Sequence, residues 1–271
     1  MRLVLAVAAV LLALLLLALF SARPAAAGSA VIVSLTTSPT RIEHIGPLLR
    51  RLARQTRPPD RIVLNLPRVF GRTGARFGAL PDFVTESPLV LVNWVDDAGP
   101  ASKIVPTAAL VDDPDATIIS VDDDIEYTPT MVASMLAVSA QYPHAVVTGQ
   151  SFRAVPGGVY AELVEGYSSV LYKRWHLDGL SCAAIRAMPR ACYLADDLVI
   201  SRFLAARGIR IVRAAALGVV PFGAIYLDYG ERADALKHGA DGTSLGNLDN
   251  YAKCTRFLDG VGKERQTLKK T

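Results

Sequence analysis

Three consecutive aspartates, Asp122, Asp123 and Asp124, follow directly on the apolar run Thr117 to Val121. That run is short, β-branched and uncharged, the composition of a strand buried on both faces of a mostly parallel sheet. Acids crowded at the end of such a strand repel one another and lose hydration, which costs free energy unless a cation or hydrogen-bond donors offset it. Hard divalent cations, Mn²⁺ or Mg²⁺, take oxygen ligands of this kind. Asp122 and Asp124, in D-x-D spacing, are therefore the candidate metal ligands. The competing account is a solvated acidic turn that caps the helix starting near Pro129.

Four other stretches carry residue types suited to the same chemistry. Asp97 to Lys103 reads D-x-G-P-x-x-K, a tight Gly-Pro turn ahead of a helix whose first turn bears Lys103. A helix start and an ammonium both suit a diphosphate, while an ordinary turn with a surface lysine explains the same residues. Thr36 to Arg41, after the first strand, is where a nucleotide base and ribose rest in doubly wound folds, and a proline turn capped by Thr40 is the alternative. Asp196 and Asp197 form a carboxylate pair able to supply a general base, if either reaches the proton to be removed; a helix start explains Asp196 equally well. His238, in a Gly-rich segment, is a candidate late metal ligand, though a lone histidine is more often structural. Trp94 and Trp175 read as packing residues.

The elements that must position these groups are legible as an alternation. Ala30 to Thr36 is a buried strand, and Ile42 to Gln55 places Ile42, Ile45, Leu48, Leu49 and Leu52 on one helical face with arginines on the other. Arg61 to Leu66 and Leu89 to Val95 are further strands, separated by an aperiodic stretch from Pro67 to Ser87. Ala101 to Val111 and Thr130 to Tyr142 are expected helices, and His144 to Thr148 is another strand. Strands alternating with helices imply right-handed parallel crossovers in a doubly wound sheet. Beyond Gly149 the pattern turns mixed and irregular. Short, antiparallel strands are expected up to Tyr172, then a helix from Asp196 to Arg207, a strand from Ile209 to Ala214 and a helix from Asn247 to Leu258.

With 271 residues and 51% hydrophobic content, the chain has ample material for a core. Part of it lies at the amino terminus, where every residue from Leu3 to Phe20 is apolar. Residues 1–29 are expected to be a signal anchor or a cleaved signal peptide, residues 30–259 one catalytic domain, and residues 260–271 a disordered basic tail. The net charge of +4 comes without a basic stripe interleaved with aromatics, which argues against nucleic acid. The three cysteines lack C-x-x-C spacing, so neither a zinc cluster nor a disulfide framework is indicated, and a Cys182–Cys192 bridge is the one considered.

Taken in order, V-S-L-T-T-S-P-T-R-I from Val33, D-x-G-P-x-x-K from Asp97, V-D-D-D-I from Val121, D-D-L-V-I-S from Asp196 and N-Y-x-K-C from Asn250 resemble a family of bacterial, algal and viral glycosyltransferases of the GT-A fold. The resemblance spans about Val31 to Leu258. It implies a GT-A-like, doubly wound, mostly parallel sheet with a mixed carboxy-terminal half. It also implies a metal site at Asp122 and Asp124 that holds the diphosphate of a nucleotide-sugar donor through Mn²⁺ or Mg²⁺. Donor contacts are expected around Thr36, Arg41, Asp97, Lys103, Asp122 and Asp123, with acceptor chemistry at Asp196 or Asp197. The acceptor is a glycan, a lipid-linked or another hydroxyl compound. Ala98 departs from the pattern, which has an aromatic there.

Two other readings keep the acids. An aspartyl-phosphate phosphatase also places D-x-D after a buried strand, but it carries Thr or Val where this chain has Glu126. A membrane-tethered cation- or carbohydrate-binding module has no use for Lys103 and Arg41. Met1 and Arg2 ahead of the apolar run favour a cytosolic amino terminus. A single-pass anchor would then put the domain in the Golgi lumen of a eukaryote, or at the cell membrane otherwise; cleavage would secrete it.

Overall fold

The structure, a computed structural model, describes residues 29–153, 155, 158–226 and 246–268. The amino-terminal apolar segment and His238 lie outside the described residues. Residues from Val31 onward form one compact unit. Among the described residues no helix is long and apolar enough to cross a membrane.

Ten strands are described: β1 (Val31–Thr36), β2 (Arg61–Pro67), β3 (Val90–Val95), β4 (Thr117–Ser120), β5 (Ile125–Tyr127), β6 (Val146–Thr148), β7 (Tyr160–Ala161), β8 (Val170–Lys173), β9 (Ile211–Arg213) and β10 (Phe222–Tyr226). Eight of them form one sheet in the order β3-β2-β1-β4-β8-β6-β9-β7, and β10 pairs with β5 in a separate ribbon. The pairs β1–β2, β1–β4, β2–β3 and β6–β9 are parallel. β8 runs antiparallel to both β4 and β6. Successive side chains on a strand point to opposite faces, and the core divides accordingly. Ile119, Val147, Leu171 and Val212 join the cluster on one face; Ile118, Val146, Val170 and Ile211 join the other. Burial on both faces is what the continuous apolar runs require.

Register explains how distant segments meet. Ser34 of β1 lies opposite Ser120 of β4 in parallel, so Thr37–Arg41 and Asp122–Asp124 leave the sheet at the same end. Ser120 also lies opposite Val170 in antiparallel. The residues just before β8, Glu165 to Ser169, therefore arrive at that end too.

Several expected elements take a different form. The amphipathic stretch from Ile42 divides at Gly46-Pro47 into a 3-10 turn (Ile42–His44) and α1 (Gly46–Ala53), because proline removes a donor and is tolerated only in a first turn. A short helix, α2 (Asp82–Thr85), interrupts the aperiodic stretch after β2. Lys103 sits in a 3-10 turn (Ala101–Lys103) ahead of α3 (Val105–Leu110), so no α-helix start accompanies its ammonium. α4 (Met131–Gln141) has the expected position. β6 does not follow β4 in the sheet, since β8 is inserted between them. The short helices α5 (Cys182–Arg186) and α6 (Arg190–Tyr193) precede α7 (Asp196–Ala206), and α8 runs Gly246–Leu268, beyond the expected end at Leu258.

The cysteine pairing is also corrected. Cys192 of α6 is bonded to Cys254 of α8, with Cα atoms 4.7 Å apart and both residues fully buried, while Cys182 is free. Cys182 and Cys192 stand on separate short helices, and the packing of α6 on α8 decides the partner instead.

Candidate active site

The cleft at the carboxyl ends of β1 and β4 has a volume of about 290 Å³ and brings together Thr36, Arg41, Asp97, Lys103, Asp122, Asp123, Asp124, Asp196 and Asp197. Every described residue singled out from the sequence as a binding or catalytic candidate lines it. In an open α/β sheet this is the crevice in which ligands bind.

Two buried cations sort the acids. Arg41 Nη1 donates to Asp123 Oδ1 at 2.7 Å and to Asp124 Oδ2 at 3.3 Å, and Thr37 Oγ1 donates to Asp123 Oδ2 at 2.6 Å. Lys103, 6% exposed, reaches Asp122 Oδ1 at 3.0 Å, Asp196 Oδ2 at 3.2 Å and Asp197 Oδ1 at 3.9 Å. Burial by itself would lower the Lys103 ammonium, but the three carboxylates outweigh it and hold the group well above its ordinary value. Asp196 Oδ2 is buried in an ion pair with Lys103 that lacks hydrogen-bond geometry.

The turn that carries Lys103 is fastened from beneath. Ser34 Oγ on β1 donates to the Lys103 carbonyl at 2.5 Å and lies 2.6 Å from Thr107 Oγ1 on α3. Asn65 Nδ2 on β2 donates to Thr107 Oγ1 at 2.8 Å, and Asn93 Nδ2 on β3 donates to Asn65 Oδ1 at 2.8 Å. This polar ladder crosses three strands inside the core, where each group must find a partner. Above it the chain passes close by. A Cβ on Gly166 would lie 2.1 Å from Lys103 Nζ, and the Gly166 amide donates to both Asp197 oxygens at 3.1 and 3.2 Å.

Asp97 lines the cleft with its oxygens turned to the loop backbone. Its Oδ1 accepts the Gly99 amide at 2.8 Å, and its Oδ2 accepts the Gly71 amide. Gly99 takes φ +64° and packs so close to Tyr193 that a Cβ would approach the Tyr193 carbonyl to 2.7 Å. The Tyr193 ring thus stands beside the turn whose Ala98 lacks an aromatic side chain. Thr36 Oγ1 donates to the Asn65 carbonyl at 2.8 Å.

Three residues that the sequence did not single out belong to the site. Tyr127 Oη accepts the Asp122 amide at 2.8 Å and donates to the Tyr167 carbonyl at 3.1 Å, and Tyr167 and Tyr251 line the cleft. Tyr127 ends the short strand that follows the acids, a weak local signal, Tyr251 falls in the N-Y-x-K-C block, and no period marks Tyr167.

The electrostatics fit a cation. Six carboxylates line the cleft against Arg41, Arg72 and Lys103. Burial, then the charges of Asp122 and Asp123, push Asp124 up to about 7 despite Arg41. Burial also raises Asp123 against Arg41 and Thr37, and burial with Asp196 raises Asp197 well above the usual carboxylate range against Lys103. Acids this reluctant to ionise are under-compensated, and their oxygens are the donors a hard divalent ion prefers. Among the described residues, no group of three or more acid, histidine or cysteine side chains converges tightly enough to hold an ion unaided. His238, the third expected ligand, lies outside those residues.

No protein-family model and no curated protein sequence matches the chain. The fold is GT-A-like, similar to that of a mannosyltransferase from Pyrobaculum calidifontis solved with GDP-Man and Mn²⁺, at 15% identity and a TM-score of 0.54 over 85% of this chain. The chain spans 65% of that protein. A structure of S. aureus TarS residues 1–349 with UDP is matched at 13% identity and a TM-score of 0.42, over 68% of this chain and 57% of that one.

Proposed function

We propose that the chain is a glycosyltransferase that moves a sugar from a nucleoside diphosphate donor to a hydroxyl acceptor with Mn²⁺ or Mg²⁺. The observation that carries this reading is the acid-rich cleft at the carboxyl ends of β1 and β4, with Asp122 and Asp124 at its rim and two buried cations behind them. An anionic diphosphate meets six acids and three cations in the cleft, so added positive charge would favour donor binding. Asp122 and Asp124 would hold the ion, with donor phosphates completing its shell, the usual arrangement for Mg²⁺. Bound there, a divalent cation supplies neutralisation of the charge that develops on the departing diphosphate.

The remaining work falls to side chains of this chain. Arg41 and Thr37 hold Asp123 back against the protein, which aims its neighbours at the cleft. Lys103 keeps Asp122, Asp196 and Asp197 from repelling one another apart. Asp197 is the more exposed of the pair at the start of α7 and has the raised proton affinity of a general base. It would take the acceptor hydroxyl proton as the acceptor oxygen bonds to the sugar carbon and the diphosphate leaves with the electron pair of the broken bond. The buried Cys192–Cys254 bridge supports maturation in an oxidising compartment, in keeping with a lumenal or extracellular domain.

A screen of nucleotide sugars for hydrolysis and transfer, with and without Mn²⁺, tests the reading, and Asp124→Asn is the control. That substitution is nearly isosteric and removes one ligand charge. Turnover should fall by about a hundredfold or more while the fold is retained. Turnover close to that of the native chain, with Mn²⁺ present, would refute the metal assignment.

A further inference from the structure

The rim of the cleft carries an aromatic pair that the donor chemistry does not use. Phe152 is 81% exposed, the most exposed large apolar side chain among the described residues. Its ring stacks on Tyr167 with centroids 6.2 Å apart and planes at 19°, and Tyr167 packs edge-on against Phe222 at 5.3 Å. Tyr167 is also a wall of the cleft that holds Asp122, Asp124 and Asp197. Through Tyr167 the exposed Phe152 ring thus stands next to the cleft wall, and it is this juxtaposition with the acids that singles it out.

The pair is held in place by buried polar groups. Glu165, itself buried, accepts the Phe152 amide at 2.6 Å. The Tyr167 carbonyl accepts from Tyr127, whose hydroxyl in turn accepts the Asp122 amide. Shelf and acid cluster are thus joined through two hydrogen bonds, and the next residue back, Gly166, holds Asp197. One short segment presents an aromatic face and positions the candidate base beside it.

We propose that Phe152, backed by Tyr167, forms the acceptor platform, and that the acceptor is a carbohydrate whose pyranose ring lays its apolar C–H face on the exposed face of Phe152. The proposal rests on the glycosyl-transfer reading for the word acceptor, but the shelf itself does not. An open aromatic face with hydrogen-bonding acids beside it matches a sugar ring, which has one apolar face and a polar edge. A flexible lipid chain would call for an enclosed apolar groove, which these two rings do not make. The nucleotide end of the donor belongs on the far side, where Thr36, Arg41 and Phe70 line the cleft.

Saturation-transfer NMR on the full chain tests this with methyl β-glucoside, methyl α-mannoside and methyl β-galactoside as probes, glycerol as the non-ring control, and UDP and GDP with Mn²⁺ as donor-side probes. At least one glycoside should bind with transfer concentrated on its axial ring protons, and glycerol should not. Phe152→Ala should weaken that glycoside about five- to tenfold and leave UDP or GDP binding unchanged, and Phe152→Trp should restore it. If no glycoside binds the native chain, or Phe152→Ala binds the glycoside as well as the native chain, the platform is refuted. Parallel loss of nucleotide and glycoside in Phe152→Ala would also refute it, because the rings would then serve the donor. Phe152-dependent glycoside binding with no nucleotide binding would support the platform and sink the transferase reading alone.

Discussion

Removing the Lys103 ammonium is the sharpest perturbation the site offers, and its size can be worked from the geometry. The group meets carboxylates at 3.0, 3.2 and 3.9 Å inside the protein. Methionine at this position keeps the length of the stem and deletes the charge. Asp122, Asp196 and Asp197 then face one another uncompensated, and at least one must take up a proton. Breaking a buried ion pair by removing one partner costs roughly 3–5 kcal/mol. That is a large share of the roughly 5–15 kcal/mol by which domains are stable. Urea denaturation of Lys103→Met at pH 7 should therefore show about 4 kcal/mol of lost stability, seen as a lower midpoint with an unchanged slope. Asp196→Asn added to Lys103→Met should recover part of the loss, giving a coupling of about 2 kcal/mol. A loss below about 1 kcal/mol, or strict additivity, would show that the ammonium is not the counter-charge of these acids.

Gly166→Ala should cut nucleoside diphosphate binding in Mn²⁺ by about tenfold or more, since a Cβ 2.1 Å from Lys103 Nζ forces the ammonium out of its cage; calorimetric titration with unchanged affinity would refute the close approach. Reducing Cys192–Cys254, which are 62 residues apart, should cost about 4 kcal/mol in a denaturant titration with and without dithiothreitol. It should also loosen α8, which brings Tyr251 to the cleft. His176 is fully buried, and burial first, then Lys173, push it down to about 4, so it is neutral in the fold and protonates near 6.5 when unfolded. Its contribution is present above pH 6.5 and is lost as pH falls toward 4, a loss of about 3 kcal/mol that His176→Gln should remove from the pH–stability curve.

The strands were legible wherever a run of β-branched residues is buried on both faces, as in Val31–Thr36 and Thr117–Ser120, because no solvent-facing side interrupts the pattern. The acids stood out because charge directly after such a run demands a physical reason. What the sequence did not disclose depends on pairing at a distance. β8 has the composition of any short apolar strand, and its insertion between β4 and β6 follows from the turn before it. Cys254 becomes the partner of Cys192 only once α6 packs on α8. Lys103 stood out as a diphosphate partner with a surface lysine as the alternative, but nothing local shows that Ser34, Asn65 and Thr107 anchor its turn or that it meets three carboxylates.

The internal order of the three aspartates follows from the same geometry. Asp123 and Asp124 stand in the turn that follows β4, and the middle aspartate is the one turned inward. Asp123 has 9% of its side chain exposed and is held by Arg41 and Thr37, whereas Asp122 and Asp124 keep 30% and 18%. Asp122 answers to Lys103 on one side and Asp124 to Arg41 on the other. The central acid is therefore the one held most fully inside the protein, and its two neighbours are the more exposed pair. In this site the spacing of one residue between them records which acid the fold has turned inward.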